Sequence, residues 1–371
     1  MKILRYIELL LYLILFSFIY FVNVPEGYQR YPYTENIWTI DALGPAASAH
    51  TAYEHAYPAF RNRFFHSENI LFFYDEKGNT GHRLRLDGNT LVTASVQNYI
   101  TYQKVGKQIA LFDNTGSRQW IMETYAYPVL SESGNRFVLF TTDTAGFKYY
   151  DLNCNLLYEK QYLDIMTTDF SFCPFNNNLA VGSSGGKIHI IDYTGKELFS
   201  HHVSASKYNI IKTVEFSYYG EYIAAVSGLY PEVIMLFNTK GKILWKRETG
   251  LSRRTRVSVH IDHANNLFLE GGTRSLIVRN LKNGHILYEI SLDRFGFSRI
   301  RYIKFASAEG TILALVTTDK DQIALCFSPG GKNLWTGVFK DMHFLKGEVA
   351  DSGNSFLIHT SKFAAAYRFI K

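Results

Sequence analysis

The chain has 371 residues, 47% hydrophobic and 16% aromatic, with 39 basic against 33 acidic side chains. A disordered chain needs low hydrophobicity and high net charge, so that class is excluded; 27 Gly and 8 Pro exclude a collagen-like or low-complexity one. A net charge of +6 is mild for this length and gives no reason to expect a nucleic-acid partner.

Lys2 and Arg5 lie in residues 1–8, and 9–24 (LLLYLILFSFIYFVNV) then runs without a charge. As a helix this run spans about 24 Å, near the lower limit for crossing a bilayer once Tyr6 and Ile7 are included. A cleaved signal peptide shares the layout but ends in small residues, whereas the exit here, FIYFVNVPEGYQ, is bulky and aromatic. Residues 1–24 therefore read as a cytoplasmic stub and an uncleaved signal anchor forming one transmembrane helix. Positive charge ahead of the span keeps the N-terminus cytoplasmic, which places the rest of the chain on the periplasmic or extracytoplasmic side of the inner membrane. No cysteine near the run could carry a lipid.

Residues 25–68 read as a linker. They are rich in Tyr, contain Pro25, Pro32, Pro45 and Pro58, and hold no period of 2 or 3.6 for long. His50, His55 and His66 fall here at spacings that suit no shared helix or strand face, so they read as surface histidines. Cys154, Cys173 and Cys326 form no CxxC pair and read as separate buried thiols.

From 69 to 371 the chain repeats. One phrase is a strand, an Asp or Asn, a turn glycine and a second strand opening on an aromatic. Its copies include LFDNTGSRQW (111–120), YYDLNCNLLY (149–158), IIDYTGKELF (190–199), LFNTKGKILW (236–245) and CFSPGGKNLW (326–335), with a degenerate copy FFYDEKGNTG at 72–81. Glycine supplies the positive φ of a tight hairpin, and the Asp or Asn side chain bonds the turn backbone. Cys154 occupies the glycine position of the second full copy, so that turn should be the poorer one. A second hairpin phrase alternates with the first, its turns at Gly134, Asn176, Gly220, Asn265, Gly310 and Gly353, 42–45 residues apart. Two hairpins per period make four strands per repeat, the blade of a β-propeller.

Dividing 69–371 by this period predicts an all-β, seven-bladed propeller of four-stranded blades, with eight blades as the minority reading. The last copy is followed by FAAAYRF (363–369), a third strand, and the chain then stops. An N-terminal strand near 71–74 or 83–86 is expected to complete that blade and close the ring, leaving one surplus strand unplaced.

These phrases resemble the repeats of quinoprotein-like propellers, and EFSYYGEYIAA and SESGNRFVLF resemble WD-repeat blades, although no Trp-Asp dipeptide occurs. The resemblance covers 69–371 and implies architecture only, since propellers host enzymes, receptors and scaffolds alike. Among the resembled families, the propeller subunit of the outer-membrane barrel-assembly machinery is a lipoprotein that docks envelope proteins.

Linear motifs for catalysis are scarce. Quinone-dependent dehydrogenases need a calcium site and usually vicinal cysteines; neither is present, so no cofactor is expected. Trp120, Trp245 and Trp335 sit at strand starts, where docking between blades explains them. GSSGG, with Ser184 at its centre, joins two expected strands and reads as a hairpin turn rather than a nucleophile elbow. In HIDH, His260 and Asp262 alone share a strand face, too few for a metal.

The stronger signal is charge. The loop from the last strand of one blade to the first of the next should open on one face every time. Lys207 with His201 and His202 occupies one such loop, Arg253, Arg254 and Arg256 the next, Arg294, Arg299 and Arg301 a third, and Lys340, His343 and Lys346 a fourth. A basic crescent of this kind suits carboxylates, phosphates or an acidic protein surface. The expected function is a membrane-anchored, exported, non-enzymatic interaction scaffold of the cell envelope with that crescent, Lys207 to Arg301, as its partner site. The alternative is a hydrolase or lyase acting on an anionic glycan or peptide in the central funnel.

Overall fold

The computed structural model describes residues 34–41, as backbone, and 64–369 apart from short stretches between strands. Among the described residues no helix is long and apolar enough to cross a membrane; the run 9–24 lies outside them.

Among the described residues eight antiparallel sheets follow one another, seven of four strands and one of three. Blades 1 to 7 span 64–85, 90–123, 127–161, 167–202, 208–248, 259–291 and 300–340. Blade 8 combines Phe344–Val349, Ser355–Thr360 and Phe363–Phe369 with the distant strand Thr34–Asp41, which pairs antiparallel to Phe363–Phe369. The middle strands are covered on both faces by neighbouring blades, which is why they read as unbroken apolar runs: Leu179–Ser183 and Thr311–Thr318 are buried throughout. Outer strands such as Glu197–His202 have one covered face and alternate accordingly.

The core is distributed between the blades. Eight hydrophobic clusters each join two neighbouring blades. The cluster of Phe65, Phe72 and Tyr74 against Leu357, Ala364 and Ala366 joins blade 1 to blade 8 and closes the ring. Across that junction Tyr74 Oη and the buried His359 Nε2 share a hydrogen bond of 2.6 Å.

Eight blades, not seven, correct the count from the repeats, and the reason lies at the junction. The degenerate copy at 72–81 is not a donor to the last blade but lies on the last two strands of blade 1, a three-stranded sheet of its own. Its turn closes through Asp75 N to Asn79 O, as the later turns do, and His82 lies under Gly116 of the next blade just as Trp245 lies under Gly284. The closing strand comes instead from Thr34–Asp41. Both that strand and Phe64–Ser67 fall inside the stretch whose Tyr and Pro content reads as a linker, where no alternation announces them.

The repeated turn works through its carboxylate. Asp113 Oδ1 accepts the backbone N–H groups of Thr115 and Ser117 at 2.9 and 3.0 Å, and Asp192 repeats this with Thr194 and Lys196. Cys154 is held at φ 63° in place of the glycine, and its turn bonds stretch to 3.2 Å against 3.0 Å at Gly116. Trp120 and Trp245 each donate from Nε1 to a carbonyl in the next blade's turn, Leu152 at 2.6 Å and Leu281 at 2.7 Å, so they dock blade on blade. The three thiols are unpaired, two of them buried.

Candidate interaction face

The up-and-down path of each blade puts the blade-to-blade connections and the turns between second and third strands on one face, here the connection face. Of the crescent, the described members Lys207, Arg256 and Arg301 map to it, but they differ. Lys207 is exposed, its Nζ 5.5 Å from the Tyr208 ring. Arg301 is exposed on the first strand of blade 7. Arg256 reaches back from the loop before blade 6 to Asp169 on the first strand of blade 4, at 3.3 Å. Arg254 and Arg299 and the side chain of Arg294 lie outside the described residues, as do Lys340's side chain and His343. His202 bonds Gly185 O, and His201 packs edge-on against Phe237.

Arg253 does not belong to a free rim. It turns inward, 11% exposed, and pairs with Glu232 and with Glu270, both fully buried. Lys212 joins Glu232 at 2.7 Å, Thr249 Oγ1 donates to Glu232 Oε1, and Arg279 bonds Glu270 at 2.8 and 3.0 Å. Five charges thus share the seam between blades 5 and 6. Burial alone would raise the Glu232 carboxyl, but Arg253 and Lys212 outweigh it and hold it below the ordinary range. Sequence spacing placed Arg253 in the right loop; what it could not supply was Glu232 and Glu270, 21 and 17 residues away, as partners.

The channel edge carries further charge. Lys346 sits on the first strand of blade 8 rather than in a loop, and bonds Glu132 of blade 3 at 2.9 Å. Lys304 of blade 7 packs over the Tyr302 ring. Burial lowers its pKa, and repulsion from Lys346 and Arg256 adds to the effect, which puts the three cations in one electrostatic neighbourhood. Burial pushes the Asp169 carboxyl up to about 6, against the pull of Arg256 and the Val214 N–H.

Around this mouth the connection face exposes large apolar side chains. Val105, Tyr125, Met166, Tyr208 and Tyr230, from blades 2 to 5, are each half exposed or more. Val105, Tyr125 and Tyr127 line a cleft of about 140 Å³ between blades 2 and 3. None of these was singled out from sequence, because each is a lone aromatic or aliphatic beside a turn until the ring brings them to one face.

Among the described residues His260 carries an arrangement that resembles acyl-transfer machinery. Its Nδ1 meets Glu215 Oε1 and its Nε2 meets Ser307 Oγ, each at 3.0 Å, across three consecutive blades. Burial pulls the His260 pKa down, but Glu215 and Asp262 more than offset it, and the ring's pKa lies above its ordinary value. Both ring nitrogens are thus engaged, and the contacts tie three blades together. Ser184 lies in the hairpin turn after Leu179–Ser183, its Oγ accepting Met166 N–H. Among the described residues no group of three His, Cys, Asp or Glu is placed to hold a metal.

A family model described as a beta-propeller protein matches residues 2–339. The chain belongs to the β-propeller proteins. Solved propellers are similar over nearly its whole length. BamB from Moraxella catarrhalis shares 13% identity at a TM-score of 0.61, covering 91% of this chain and 100% of its own. The C-terminal WD40 domain of Sif2 shares 10% at 0.61, covering 92% and 100%. A chain of the mitotic checkpoint complex shares 12% at 0.53, covering 87% and 99%. At such identities the likeness is one of fold, of the quinoprotein-like and WD-repeat kind. No curated protein matches the sequence.

Proposed function

We propose that this propeller is a membrane-anchored, exported scaffold of the cell envelope, without enzymatic activity, that docks an acidic partner protein on its connection face. The observation that carries the reading is the rim of Val105, Tyr125, Met166, Tyr208 and Tyr230 around a mouth edged by Arg256 and Lys304. Large apolar side chains exposed on one face suit a docking site, and interfaces are enriched in Tyr, Met and Arg. In this reading the rim supplies the buried area, while Lys207, Arg256 and Arg301 steer an acidic surface into register. Arg253 acts one layer below, fixing the seam on which that loop stands. The uncharged run 9–24 behind Lys2 and Arg5 supports an anchor with the propeller outside the cytoplasm. A reporter enzyme fused after Lys371 tests the topology. Activity from the extracytoplasmic side, with the chain retained in membranes after alkaline wash, is the expected result. Reporter activity in the cytoplasm, or release by the wash, contradicts it.

A further inference from the structure

We propose that the face opposite the connections carries a second site, a cleft between blades 3 and 4 that binds a neutral, hydroxyl-rich oligosaccharide. The cleft has a volume of about 320 Å³, within the range of small-ligand sites, roughly 300–1,000 Å³. Asn135, Asn153, Asn176 and Asn177 line it, with Arg136, Asp151 and Tyr193.

Its charged groups are already occupied. The Asp151 carboxylate accepts the N–H groups of Asn153 and Asn155 and the Asn155 amide, while Arg136 donates to the carbonyls of Tyr193 and Asn135. An anionic ligand would meet Asp151, and a cationic one Arg136, so neither sign is favoured.

The amides, by contrast, have capacity to spare. The Asn135 and Asn153 side chains bond no group among the described residues. Asn176 and Asn177 use their side-chain oxygens, on Asn178 N–H and the Ser133 hydroxyl, and leave their NH₂ groups open. A carboxamide both donates and accepts, which matches adjacent hydroxyls that do the same. Tyr193, 53% exposed, forms one wall. A ring beside a row of amides offers the apolar surface that the C–H face of a sugar ring covers. A peptide strand would need an open sheet edge or a groove of pockets, which this compact polar cleft is not.

The full-length protein in lipid nanodiscs can be titrated calorimetrically with maltotetraose, chitotetraose and tetragalacturonic acid. Nanodiscs avoid glycosidic detergents that would occupy the site. One of the two neutral probes should bind. Asn135→Ala with Asn153→Ala should weaken it at least about tenfold, and Tyr193→Ala comparably, since each change removes ligand contacts. These side chains are exposed, so the melting temperature should stay put. Three results would each overturn the proposal: no heat with either neutral probe, undiminished affinity in the variants, or a preference for the acidic probe. None bears on docking at the connection face.

Discussion

Replacing Glu232 by Leu tests the most consequential placement in the ring. The carboxylate is fully buried and serves Lys212, 5% exposed, Arg253, 11% exposed, and the Thr249 hydroxyl. Without it, Arg253 and Arg279 share the single carboxylate of Glu270 and Lys212 keeps only the Arg253 carbonyl, leaving buried positive charge uncompensated. Breaking one partner out of a buried ion pair costs about 3–5 kcal/mol. That is a large part of the roughly 5–15 kcal/mol by which a folded domain is stable. Equilibrium unfolding in urea should show the midpoint falling with the slope unchanged. Arg253→Gln should lose stability in the same way, so it cannot serve as a clean probe of partner binding. Arg256→Gln, at an exposed side chain paired with Asp169, should cost no more than about 1 kcal/mol. A Glu232→Leu variant within about 1 kcal/mol of the parent would refute the seam as a source of stability.

Cys154→Gly should stabilise by about 0.5–1 kcal/mol, because a non-glycine at φ 63° carries a steric cost glycine does not; a lower thermal midpoint would contradict this. Burial, with Lys346 nearby, holds His359 neutral down to about 3, so its contribution is intact above the ordinary histidine pKa and lost as the pH falls from there toward 3. His359→Gln should accordingly flatten the stability loss between pH 6.5 and 4, read by urea midpoints at each pH, and an unchanged slope would count against it. Asp169, raised to about 6, has the opposite sign: stability present below its unfolded value is lost as the pH rises toward 6. Asp169→Asn should therefore gain roughly 1–3 kcal/mol at pH 7 relative to pH 4 in the same assay. Deleting 34–41 leaves Phe363–Phe369 as an unpaired edge and should lower the midpoint and promote self-association, seen by light scattering. A monodisperse variant with the parent's midpoint would mean the closing strand is dispensable.

The blades were legible because their chemistry is local. Asp113, Asp192 and Asn238 announce their turns, and strands buried on both faces read as unbroken apolar runs. The ring junction was hidden because its members are far apart in sequence. Thr34–Asp41 and Phe363–Phe369 are partners that no local pattern connects. The candidate face was half legible for the same reason. Loop position follows from repeat spacing, so Lys207 and Arg256 could be placed, whereas Arg301 lies on the first strand of blade 7. Whether a charge points outward depends on neighbours on other blades, and Glu232 with Glu270 draws Arg253 in. The apolar rim needs the third dimension altogether.

Site-specific photo-crosslinking tests the docking face most directly. A benzophenone amino acid is placed at Tyr125, Tyr208 or Tyr230 on the connection face, and at Ile286 on an exposed outer strand as the reference position. After irradiation in intact cells, the three connection-face positions should yield the same discrete adduct with one acidic exported protein. Ile286 should not yield it, and Lys207→Gln with Arg256→Gln should weaken it. Adducts at Ile286 but none at the three rim positions would contradict docking on the connection face.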